Sequence, residues 1–104
     1  MKQDEFKTDV IFRKVKSGID KNIIEAFFPY DISDMKGNIT CYAHFGQHSV
    51  ACWEYYLQNT IPAKENEYKA LKSELESIGY NLNIVKRRNY KRYLAELNKI
   101  RQRD

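Results

Sequence analysis

The chain lacks any run of eighteen apolar residues, so no segment reads as a membrane-spanning helix. Its start, "MKQDEFKTDV", also lacks the apolar stretch of a secretory leader. Both absences lead us to expect a cytoplasmic protein with no membrane partner. In that setting the only two cysteines, Cys41 and Cys52, are expected to be reduced and buried as small hydrophobes. There is no glycine-rich phosphate loop, no GxSxG elbow and no paired-carboxylate motif, so the common nucleotide-hydrolysing and acyl-transfer chemistries have no sequence support. At 104 residues the chain is too short for a cofactor-binding domain beside a substrate domain. We therefore read residues 1–104 as a single domain without a cofactor, with residues 1–8 a candidate disordered lead.

What is present is an ordinary globular composition, 42% hydrophobic and 31% charged, together with eight tyrosines. Aromatic rings with a polar tip suit a small core that reaches its own surface, and they suit binding interfaces. Charge is divided unevenly. Residues 1–85 carry a balance of −2, whereas "KRRNYKRYLAELNKIRQRD", residues 86–104, carries +6. A basic terminus of this kind is an electrostatic footprint for phosphate or for an acidic protein surface.

Periodicity predicts an α+β fold, a small antiparallel sheet of about four strands in the order β-β-β-α-β, packed by one helix and followed by a basic C-terminal helix over 89–104. "DVIFRKVKSG" supplies a strand over Val10–Val15, and "NIIEAFFPY" a second that Pro29 ends. "DISDMKGN" is a loop in which Gly37 or Asn38 can take a positive φ, and Ile39–Phe45 is a third strand. Tyr68, Leu71, Leu75 and Ile78 recur at helical spacing after Pro62, with a helix start near residue 64 and Gly79 just past its end. "NLNIVKR" reads as the fourth strand. From Asn89 onward Tyr90, Tyr93, Leu94, Leu97 and Ile100 share one helical face, and Arg92, Lys99 and Arg103 cluster within roughly 40° on the other. "HSVACWEYYLQN" fits both helix and strand.

The stretch "CYAHFGQHSVAC", residues 41–52, gathers both cysteines and both histidines. Zinc would need Cys41, His44, His48 and Cys52 to converge at about 2.0–2.3 Å. In a strand, however, Cys41 and His44 point to opposite faces, with Cys41 on the apolar one, so no metal site is expected. A Cys52 and His48 catalytic pair requires a helix through both, and no catalytic residue is assigned. What remains is a polar pocket rim of Tyr42, His44, Gln47 and His48, able to donate and accept hydrogen bonds. The basic segment supplies the other candidate site, with Lys86, Arg87, Arg88, Lys91, Arg92, Lys99 and Arg103 as contacts for nucleic acid or a partner. Tyr90 and Tyr93 are interleaved among them, on the apolar stripe, as packing groups.

The segments "VIFRKVKSG", "YAHFGQH", "ELESIGYNL" and "KRRNYKRYL", in this order, resemble a family of short uncharacterised proteins of gut-type bacteria, their phages and their mobile elements. The resemblance covers roughly residues 9–95 and implies no activity, cofactor or catalytic residue. It implies a setting, that of a small accessory protein of a phage or mobile element. The expected function is a non-enzymatic binding module that docks on nucleic acid, RNA or DNA, or on a nucleoprotein, such as a counter-defence, anti-CRISPR-like inhibitor. The alternatives are an oligomeric sponge for a small nucleotide signal, which would make a homo-oligomer, and an enzyme using His48 or Cys52.

Overall fold

Residues 7–43 and 47–102 are described by a computed structural model. The fold is α+β. Its elements are β1 (Thr8–Val15), β2 (Ile24–Ile32), β3 (Ile39–Ala43), β4 (Gln47–Ala51), α1 (Trp53–Asn59), β5 (Thr60–Pro62), α2 (Glu65–Ser77), β6 (Leu82–Ile84) and α3 (Tyr90–Gln102). The sheet runs β4-β3-β2-β1-β5, with β6 also pairing with β1. All the pairings are antiparallel except β6 with β1, which is parallel and sets Thr8 opposite Leu82.

Both faces of the sheet are covered. Side chains alternate along each strand, so Ile11, Phe27, Ile39 and Cys41 pack with Tyr56 of α1 and with Tyr93 and Leu97 of α3. Val10, Phe12, Ala26, Phe28 and Tyr42 face the other way, against Leu71 and Leu75 of α2. This two-sided burial explains the unbroken apolar runs "VIF" and "AFF", which a sheet with one wet face would not tolerate. The expected parity holds across Cys41 and Tyr42, but the apolar face is not the only core face.

Several boundaries differ from the sequence reading. Thr8, expected within the candidate disordered lead, belongs to β1, and residues 1–6 lie outside the described residues. Pro29 does not end β2, which continues to Ile32. The β1–β2 register stops at Ile11 opposite Phe27, and the β2–β3 register shifts between Phe28 and Ile32, so no ladder asks Pro29 for the N–H it lacks. Residues 48–58 are neither all helix nor all strand. β4 runs to Ala51, Cys52 accepts the Tyr55 N–H on its sulfur as N-cap, and α1 begins at Trp53. The chain therefore has more elements than a meander with one packing helix. Strands β5 and β6 are three residues each and divide one edge of β1 between them.

The two longer helices match expectation closely. Helix α2 starts after Lys64 and stops before Gly79, whose φ of +113° ends it in the left-handed region. Ile78, predicted on the buried stripe, is instead 54% exposed, because it is the cap residue where the chain leaves the sheet. Helix α3 follows Asn89, whose side chain accepts the Arg92 N–H. Gly37 takes a φ of +91° in the β2–β3 loop, and the Tyr93 hydroxyl donates to its carbonyl at 2.6 Å, fixing α3 over that loop.

Candidate basic interface and the polar cleft beside it

The basic segment 86–102 leaves β6 and wraps onto the α1 side of the sheet. Its cations divide into two groups. Arg88 lies over the rings of Trp53 at 3.8 Å, Tyr93 at 4.4 Å and Tyr90 at 5.0 Å. Arg92 lies over Tyr30 at 4.0 Å and pairs with Asp9 at 3.0 Å. Such ring contacts hold each guanidinium group against the fold, and Asp9 offsets the charge of Arg92. Lys99 pairs with Glu96 at 3.4 Å, and the Arg101 Nε donates to the Met35 carbonyl at 3.1 Å. By contrast Lys86, Arg87 and Lys91 are exposed and make no ion pair or hydrogen bond among the described residues. Arg103 lies outside the described residues.

Two aromatic side chains flank this group differently from expectation. Tyr93 is 6% exposed and belongs to the core, whereas Tyr90, read as a packing group, is 58% exposed. Its ring is supported from behind by Arg88 and stacks offset on Tyr93, with centroids 6.3 Å apart. Tyr90 is thus an exposed ring next in sequence to Lys91 and within four residues of Lys86 and Arg87. The first turn of α3 contains no acidic residue, although a helix N-terminus favours one.

The polar residues of the 41–52 stretch are placed as follows. His44 lies outside the described residues, and Gln47 is described only as the β4 residue opposite Ala43. Tyr42 is buried and donates its hydroxyl to Glu74 of α2. His48 sits opposite Tyr42 in the β3–β4 register, with ring centroids 4.8 Å apart. The His48 Nε2 hydrogen-bonds the Tyr80 hydroxyl at 2.9 Å, and Tyr80 stacks on Phe28. Tyr42 and His48 are thus brought together, with their polar tips directed at α2 and at Tyr80.

The cysteines stay apart from the imidazole. The Cys41 sulfur lies 3.1 Å from the Ser49 hydroxyl, and burial pushes its thiol above the usual range. Cys52 is exposed at the start of α1. Among the described residues no group of three or more His, Cys, Asp or Glu is placed to hold a metal ion, and no helix is long and apolar enough to cross a membrane.

A third feature had no signal in sequence spacing. Where the β1–β2 ladder ends, a cleft of about 340 Å³ opens between Thr8, Asp9 and the exposed Lys7 on one side and Phe28, Tyr30 and Asp31 on the other, with Tyr80 and Arg92 completing its lining. Strand residues roughly sixty to eighty positions from Arg92 in sequence meet it here, which only the tertiary fold can arrange. No family model, no curated protein and no solved structure matches this chain.

Proposed function

We propose that the protein is a non-enzymatic binding module that docks on single-stranded nucleic acid through Lys86, Arg87 and Lys91, with Tyr90 stacking on an unpaired base. The observation that carries this reading is the exposed Tyr90 ring, which lies within four residues in sequence of three exposed cations that make no ion pair among the described residues. A lysine or arginine face on its own is ordinary solvated surface. An open aromatic ring on the same segment adds the second component of a single-strand platform, a π-face that any base can use. Arg88 and Arg92, fixed on rings, stiffen the platform, and Arg88 raises the local potential. A phosphate at the acid-free first turn of α3 would meet a favourable helix dipole.

The resemblance to short phage and mobile-element proteins implies the setting of a small accessory protein, and within it we propose a cytoplasmic counter-defence role whose target is a nucleic acid or an RNA-bearing complex. Binding of a labelled twelve-nucleotide single strand, followed by fluorescence anisotropy across a salt series, tests the chemistry. Each phosphate neutralised on a single strand contributes about −0.7 to the slope of log K against log salt, so replacing Lys86, Arg87 and Lys91 together by alanine should flatten the slope by about 2. Absence of binding to RNA and DNA alike, or a slope the triple replacement does not alter, rejects the proposal. Capture from a lysate that survives nuclease treatment would point to a protein partner instead.

A further inference from the structure

We infer that the cleft at the end of the sheet is a base-reading pocket that takes a guanine of the bound strand; this rests on the binding function proposed above. Its origin is local. Pro29 offers no N–H, the β1–β2 ladder ends at Ile11 opposite Phe27, and the β2–β3 register shifts before Ile32, so Tyr30 and Asp31 stand outside both ladders. The opening of about 340 Å³ is at the small end of ligand pockets, suited to one flat heterocycle rather than a helix or a peptide.

The walls are two tyrosine rings, each already held in place. Tyr30 has the Arg92 guanidinium over its ring at 4.0 Å and accepts the Asn89 N–H on its hydroxyl at 2.7 Å. Tyr80 stacks on Phe28 with centroids 5.1 Å apart and bonds His48 at its tip. Rings fixed in advance lose little freedom when a base enters.

The polar groups decide which base. Asp9 is committed, to Arg92 at 3.0 Å and to the Asn83 side chain at 2.9 Å. Asp31 is exposed, lines the cleft and makes no hydrogen bond or ion pair among the described residues. Its charge reaches Tyr80, whose hydroxyl is raised first by burial and then by Asp31. An ionised carboxylate only accepts, and it accepts best from two parallel donors. Among the four bases guanine alone offers two adjacent donors, its ring N1–H and its amino group, on the Watson–Crick edge. Adenine and cytosine place an acceptor beside their amino group, and uracil flanks its single N–H with two carbonyls. Arg92 lines the cleft, and its chain neighbour Lys91 belongs to the open cationic group, so both proposed sites draw on the first turn of α3.

The experiment compares ten-nucleotide uridine strands carrying one central guanine, adenine or cytosine, or none, each titrated against the protein by fluorescence anisotropy. The guanine strand should bind about ten-fold more tightly than the others, in line with one bidentate contact. Asp31→Asn should abolish that preference while leaving the urea midpoint unchanged, since the Asp31 side chain makes no hydrogen bond or ion pair among the described residues. Lys91→Ala should weaken all four strands alike. Equal binding of the four strands by the wild type, or a guanine preference that survives Asp31→Asn, overturns the pocket and leaves the single-strand function standing. No binding to any strand overturns the function and the pocket together.

Discussion

Gly37→Ala should be one of the most damaging single-methyl additions in the chain, and its cost can be built up in parts. The φ of +91° at Gly37 is one that a residue with a Cβ adopts at a penalty of about 1–2 kcal/mol. An added Cβ would also run into the Tyr93 hydroxyl, with the Tyr93 Cζ at 3.4 Å and the Leu97 Cδ2 at 3.5 Å behind it. That hydroxyl cannot simply swing aside. Tyr93 is buried, wedged edge-on against Trp53 at 5.6 Å, and donates to the Gly37 carbonyl. Displacing it breaks a buried hydrogen bond, worth about 1–3 kcal/mol when its partner is left unsatisfied. Gly37→Ala should therefore lose about 2–5 kcal/mol in urea unfolding, where a kilocalorie corresponds to roughly 4–8 °C of Tm in a chain of this size. Tyr93→Phe alone should lose about 1–2 kcal/mol through the hydrogen bond. The double variant is decisive, because without the hydroxyl the new Cβ meets only carbon at ordinary contact distance. It should be less destabilised than the sum of the two single changes by about 1–3 kcal/mol. Strict additivity, or a Gly37→Ala midpoint unchanged from wild type, would refute the close approach of α3 to the β2–β3 loop.

Other expectations follow from the same geometry. Arg88→Ala should lower stability by about 1–2 kcal/mol through its stacking on Trp53 and Tyr93, whereas Lys86→Ala should leave the urea midpoint in place and weaken nucleic-acid binding. Native protein should titrate one thiol with an aromatic disulfide reagent, Cys52, with Cys41 reacting only after denaturation; rapid release of two would contradict the burial of Cys41. Tyr55 is pushed up to about 12, first by burial and then by donating to Glu25 at 3.0 Å, so the folded state holds this proton more tightly than the unfolded chain. That contribution is whole below pH ~10 and is lost as pH rises toward the folded value. Tyr55→Phe should show a shallower fall in urea midpoint over this alkaline range, and an identical fall would remove the argument.

The parts of the fold that were legible are those decided by neighbours in sequence. Pleat parity placed Cys41 and Tyr42 on opposite faces, and helical spacing with Gly79 gave α2 nearly to the residue. The parts that were not legible depend on distant partners. "TIP" is a strand only because Arg13 to Val15 of β1 lie beside it, and β6 runs parallel only because α2 carries it across the sheet first. Pro29 argued for a strand end, and a register shift absorbed it instead. The change from strand to helix at Cys52 depends on one sulfur reaching the Tyr55 N–H, a contact no hydrophobic pattern reports.

The basic segment shows the same division within a candidate site. Counting charge identified residues 86–104 but gave every cation equal standing, because a sequence carries no record of which rings the fold will bring beneath a guanidinium. The fold sorts them: Arg88 to Trp53, Arg92 to Tyr30 and Asp9, and Lys86, Arg87 and Lys91 to solvent. Tyr90 and Tyr93 sit three positions apart on one helical face, yet one is core and the other open, because α3 packs on the core only from Tyr93 onward. A strand of nucleic acid would therefore meet the first turn of α3 and the residues before it, not the whole basic face. Charge removed at Lys99, which Glu96 already balances, should then cost far less binding than charge removed at Lys91.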